Sequence, residues 1–202
     1  MIIGITGSFG SGKTTVANLF KKYNFKVINV DKLYEGIYKK NKSLRNKIKN
    51  EFGTINKTKL KKIVFNNSNT RKNGTFFVSQ KSSISVKLKR LNKITHPIII
   101  DKIKKEIINT KNKNIVIDVP LLIEAKATHL VDKIIIVKCK KDIQIKRILK
   151  KKKYTKEEIN NIIKSQMSLK KKLKYADFVV NNNYSINKTK DQIKKILNKI
   201  KK

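Results

Sequence analysis

A chain of 202 residues with one cysteine and a formal net charge of +38 has room for one good core with inserted sub-domains, and no intramolecular disulfide is possible. No apolar run approaches the ~18–20 residues of a membrane span, and the N-terminus leads straight into a strand, so the expectation is a cytoplasmic protein without a signal peptide or membrane partner. The charge is almost entirely Lys, spread over the whole length, with arginine only at Arg45, Arg71, Arg90 and Arg147; such diffuse charge points to solubility and weak polyanion binding rather than to a specific nucleic-acid partner.

In chain order, Ile2, Ile3 and Ile5 read as a buried parallel strand, and Val16, Leu19 and Phe20 recur at helical spacing after it. Between them, Gly7 to Thr14 fit a phosphate-binding loop: a Gly, four spacers, then Gly-Lys-Thr. Glycines let successive N–H groups turn toward phosphate oxygens, and the following helix adds its free N–H groups and positive dipole end. Lys13 then reaches the outer phosphates and the Thr14 hydroxyl can ligate Mg²⁺. The site is one for a nucleoside triphosphate.

Phe25 to Asp31 follows as a short strand ending in a carboxylate. Residues 32 to 72 read mainly as helix, with Leu33, Ile37, Leu44, Ile48, Leu60, Ile63 and Val64 facing a core. In the Ser-rich stretch 73 to 89, Ile84, Val86 and Leu88 alternate like a strand, while Ile84, Leu88 and Leu91 fit a helix; periodicity leaves this open, and a loosely packed surface excursion is expected. His96-Pro97 opens an apolar helix with Pro in its first turn. Ile115 to Asp118 is a buried strand ending in an acid, and Asp132 to Val137 leads into another, with Cys139 read as a strand residue rather than a nucleophile. A basic helical stretch from Asp142 to about Lys174, broken near Lys152 to Tyr154, precedes a last strand at Phe178 to Val180 and a closing amphipathic helix at 187 to 200. Strands separated by helices imply an α/β fold with a parallel sheet.

Ligands of such a sheet gather at the carboxyl ends of its strands. Asp31 there is either a base for a substrate hydroxyl or the N-cap of the next helix. Asp118 is either an acid supporting Mg²⁺, directly or through water, or a turn residue. Arg147 is compatible with a solvated helix face, and His96 with a helix-start hydrogen-bonding group.

The segments Gly7–Thr15, Asn29-Val-Asp31, Leu91-Asn-Lys-Ile-Thr-His-Pro97, Asp118-Val-Pro-Leu-Leu-Ile-Glu124, Gln144 with Arg147, Gln166, and Ala176-Asp-Phe-Val-Val-Asn-Asn182 together resemble the dephospho-coenzyme A kinase family, nearly end to end. The resemblance implies a P-loop kinase fold: a five-stranded parallel sheet core (about 1–31, 115–140 and 176–202), a helical substrate part (about 32–114, with 73–89 an insertion) and a lid (about 141–175). It implies ATP and Mg²⁺ phosphorylating the ribose 3′-hydroxyl of dephospho-coenzyme A. Residue by residue, Gly10, Ser11, Gly12, Lys13, Thr14 and Thr15 would hold ATP and Asp31 would be the base. Asp118 would lie beside metal and substrate, His96 on the substrate side, and Arg147 would bring charge to the transferring phosphoryl group.

The chain departs from the family in having Asn29 where an Asp is usual, Glu35 and Lys151 at common Arg positions, and Ile162 in place of an Arg. Lys does not reproduce the bidentate grip of Arg. Another small-molecule kinase on the same fold, or a basic nucleotide-dependent RNA-binding protein, are the competing readings.

Overall fold

The computed structural model describes residues 1–65 and 80–200. Five parallel strands, β1 (Ile2–Gly7), β2 (Lys26–Asn29), β3 (Ile115–Asp118), β4 (Lys133–Lys138) and β5 (Phe178–Asn181), form one sheet in the order β2-β3-β1-β4-β5. β-Branched residues dominate β1, β3 and β4, as suits strands covered on both faces. Because side chains alternate along a strand, the same strands feed two cores. Ile3, Ile5, Val116, Ile135 and Val137 pack on one face with α1 (Lys13–Leu19), Phe20 and α9 (Ile186–Ile200). Ile115, Ile117, Ile134 and Ile136 pack on the other with Ile103, Leu122 and Ile123.

Between β2 and β3, α2 (Val30–Lys40), α3 (Lys42–Phe52) and α4 (Lys57–Phe65) have a core of their own in Tyr38, Leu44, Ile48, Leu60 and Val64. α5 (Gln80–Ile108) spans both territories: Leu88, Leu91, Ile94 and Ile98 join this helical core, whereas Ile99, Ile100, Ile103 and Ile107 join the sheet. Two sequence-based expectations change here. Pro97 lies inside α5 rather than in a first turn; apolar packing at both ends outweighs the ~3 kcal/mol an interior Pro costs, and Thr95 Oγ1 donates to the Leu91 carbonyl at 3.0 Å in the turn before it. The stretch from Gln80 to Lys89 is helix, with Leu88 packed, rather than a loose excursion; residues 73–79 of that stretch lie outside the described residues.

The basic stretch forms α6 (Lys141–Leu149), α7 (Lys156–Ser165) and α8 (Leu169–Leu173). Its expected break is real, and Lys152 there has φ 52°. A second break separates α7 from α8. Among the described residues no helix is long and apolar enough to cross a membrane.

Candidate active site

The loop between β1 and α1 turns through two glycines with positive φ, Gly10 at 79° and Gly12 at 90°. Side chains are excluded as well as strained: a Cβ on Gly12 would sit 2.1 Å from Asn182 Nδ2, and one on Gly10 2.6 Å from Ile148 Cδ1. Gly12 is the N-cap of α1 and offers no side-chain acceptor, so the first-turn N–H groups are left for an anion. Asn182, just past β5, fixes the loop by donating Nδ2 to the Ser11 carbonyl at 2.8 Å. Ser11 is buried and its Oγ has no partner.

Lys13 is buried, with Nζ donating to the Ser8 carbonyl at 3.0 Å. Burial pulls its ammonium down to about 8, against the attraction of Asp118. Asp118, at the end of β3, is 2 % exposed. Its Oδ2 accepts from Thr14 Oγ1 at 2.6 Å and from Asn29 Nδ2 at 2.8 Å, while Oδ1 is buried without a partner among the described residues. Burial raises its pKa and these two hydrogen bonds and Lys13 lower it.

Asp31 does not end a strand: β2 stops at Asn29, and Asp31 lies in the first turn of α2. It is not the cap either, because Asn29 Oδ1 accepts from the Lys32 N–H at 2.9 Å. Asn29 thus does two jobs, capping α2 and donating to Asp118, and the second is beyond an ionised Asp. The Asp31 carboxyl is reachable by solvent yet hemmed in by protein, and this crowding, followed by repulsion from Asp118, raises its pKa, with Lys13 opposing.

Asp31 and His96 line one cavity of about 200 Å³, walled mainly by Val30, Leu91, Ile99, Ile100, Ile103 and Val119. Burial lowers the His96 pKa, opposed by Glu124, which favours a neutral imidazole. Tyr34, also on this cavity, is pushed up to about 12 by burial, so its phenol is neutral.

Arg147 stands elsewhere. Its Nη2 donates to the Asn182 carbonyl at 2.9 Å and Nη1 lies 3.5 Å from Cys139 Sγ. With Gly10, Gly12, Thr15 and Tyr184 it lines a second cavity of about 380 Å³. Cys139 directly follows β4, and burial pushes its thiol up, so it is no activated nucleophile. Above the loop, the Tyr154 ring meets Phe9 edge-on at 5.3 Å, and Lys61 of α4 sits 3.8 Å over Tyr154 and 3.0 Å from Glu158.

The structure therefore brings together Lys13, Thr14, Asp118 and Asp31, sets His96 on the cavity that Asp31 also lines, and puts Arg147 with Thr15 on a second one. Sequence reasoning missed the roles of Asn29 and Asn182. The spacing Asn29-x-x-Lys32 was the available signal for the first, as an Asx cap three residues before the N–H it accepts.

Comparison with known proteins bears on this geometry. A family model described as dephospho-CoA kinase matches residues 1–79 and 80–188. The dephospho-CoA kinase of Bacillus cereus strain ZK / E33L is 34% identical over 210 residues, covering 98% of this chain and 96% of the relative. A Thermus thermophilus crystal structure superposes with a TM-score of 0.76 at 22% identity, covering 98% of this chain and 95% of that one. The dephospho-CoA kinase from Campylobacter jejuni does so at 0.57 and 24%, covering 98% and 96%; at these identities the two structures speak to the fold.

Proposed function

Because the chain belongs to the dephospho-CoA kinase family, we propose that its loop, the acids Asp31 and Asp118 and its apolar cavity divide a single phosphoryl transfer among them. The reaction is ATP-dependent phosphorylation of dephospho-coenzyme A in coenzyme A biosynthesis. The observation that carries the residue assignments is the convergence of Lys13, Thr14, Asp118 and Asp31 beside a cavity walled by Ile and Leu.

The triphosphate lies along Gly10, Ser11, Gly12, Lys13, Thr14 and Thr15, its outer end toward Lys13. The acceptor lies in the cavity lined by Asp31 and His96, with its ribose 3′-hydroxyl at Asp31. The hydroxyl oxygen attacks the γ-phosphorus, its proton passes to Asp31, and the bond to the bridging oxygen breaks to release ADP. A carboxylate whose pKa is raised by crowding accepts that proton more readily than an ordinary one. His96, neutral, offers a hydrogen bond on the acceptor side.

Mg²⁺ fits the residues present. Thr14 Oγ1 and the unpartnered Asp118 Oδ1 are hard oxygen donors; Asp118 would act directly or through water. Among the described residues no group of three or more His, Cys, Asp or Glu forms a cation cage, as suits an ion held largely by phosphates and water. When bound it supplies charge neutralisation at the phosphates.

Arg147 grips the nucleotide from the flank of Gly12 and Thr15, a role supported by the cavity these residues line together. Segments 32–114 and 141–175 act as acceptor part and lid, joined by Lys61 and Tyr154. A coupled assay of ADP release tests the reading: with ATP, dephospho-coenzyme A should be phosphorylated and nucleoside or nucleotide acceptors should not. Preference for a nucleoside would overturn it.

A further inference from the structure

The basic segment returns to the body of the protein through residues whose partners lie in separate parts of the site. Gln166 Oε1 accepts from the Phe9 N–H of the phosphate loop at 2.9 Å. The next residue, Met167, donates its N–H to Glu124 Oε1 at 3.1 Å. Lys172 in α8 is 0 % exposed, whereas Lys170 and Lys171 beside it are exposed. Its Nζ lies 2.9 Å from that same Glu124 oxygen and donates to the Pro120 carbonyl at 3.3 Å. The Pro120 carbonyl also accepts from Thr6 Oγ1 at the end of β1, at 3.1 Å. Pro120 stands two residues past Asp118, in the turn that also carries Glu124.

A buried ion pair is a poor route to stability, since apolar residues of similar volume often do as well. What this one does is hold three things in one register: the turn that follows Asp118, the end of β1 that leads into the phosphate loop, and the limb that grips Phe9. Among the described residues Glu124 Oε2 is buried without a partner, and Lys172 is the one cation within salt-bridge reach of Glu124.

We propose that Lys172 and Glu124 are positioning residues for phosphoryl transfer, with Lys172 fixing the Asp118 turn through the Pro120 carbonyl and Glu124 fixing the returning limb through Met167. The inference rests on Asp118 belonging to the transfer site. Neither side chain touches the reacting atoms; each acts through backbone it holds. Small displacements of reacting groups are expensive in rate, about 10²-fold for roughly 1 Å.

The test uses the full chain and four variants: Lys172→Met, Glu124→Gln, the double variant and Asp118→Ala. Lys172→Met should lower kcat about 10- to 100-fold at saturating ATP and dephospho-coenzyme A, with both KM values nearly unchanged. Glu124→Gln keeps an acceptor oxygen for Lys172 and Met167 and should lose less. The double variant no longer buries an unpaired charge, so it should recover the melting temperature lost by Lys172→Met while its kcat stays low, because Met cannot donate to the Pro120 carbonyl. Wild-type kcat in Lys172→Met, or recovery of kcat together with melting temperature in the double variant, overturns the proposal and leaves the pair a packing feature. Should Lys172→Met fail to fold, the double variant decides alone. Full activity in Asp118→Ala would instead overturn the site assignment itself, which separates the two failures.

Discussion

The phosphate end of the site and the acceptor cavity adjoin at Asp31, yet they are built by opposite means. At the phosphate end nearly every group is polar and bonded to another: Lys13 to Ser8, Thr14 and Asn29 to Asp118, Asn182 to Ser11. The cavity wall is Val, Leu and Ile, relieved by a few polar groups. In the proposed function one side recognises its ligand by fixed donors and charges, a chemistry common to every nucleoside triphosphate, and the other does so by shape. Changes at the phosphate end should therefore act on rate, and changes in the cavity wall on acceptor binding alone.

The largest effect is expected where the two regions meet. Asp31→Asn keeps shape and polarity but cannot take a proton, and turnover should fall about 10²–10⁴-fold. Since Asn29 caps α2, neither Asp31→Asn nor Asp31→Ala should move the melting temperature appreciably. Full activity in Asp31→Asn would end its assignment as the base.

Lys13→Ala removes the buried charge aimed at the outer phosphates and should cost about 10²–10³-fold in turnover, measured at ATP concentrations high enough to offset weaker binding. Near-normal turnover would mean that the loop binds something other than a triphosphate.

On the cavity side, Ile99→Ala should raise KM for dephospho-coenzyme A about tenfold with kcat and KM for ATP unchanged, the pattern of lost uniform binding. A kcat loss matching the KM change would blur the contrast between the two regions.

The smallest effect tests the seam through stability. Asn29→Ala deletes the cap of α2 and should cost about 0.5–2 kcal/mol in chemical denaturation.

The same contrast explains what could be read from the sequence. The phosphate loop, the strands and the carboxylate of Asp118 were legible because each obeys a local rule of spacing, alternation or burial. Asp31 was ambiguous because two Asx-type residues two positions apart compete for one helix start, and the winner depends on Asn29 meeting Asp118, 89 residues away. Pro97 misled because helix-start rules are local, whereas α5 is held at both ends by different cores. Arg147 is held by Cys139 and by the Asn182 carbonyl 35 residues away, contacts that no local pattern announces. Lys172 was invisible for another reason. In a run reading Leu169-Lys-Lys-Lys-Leu173, within a chain rich in exposed lysines, nothing marks the one that is buried.

The position of β1 also bears on how the protein is made. It is the central strand, and both neighbours, β3 and β4, come more than a hundred residues later in the chain. On the ribosome, at ~5–20 residues per second, Ile3 and Ile5 wait on the order of ten seconds before their partners are synthesised. During that interval an apolar strand with two open edges is exposed to other nascent chains. The surplus of lysine charge around it is then useful as repulsion between unfinished copies, before there is any site to serve.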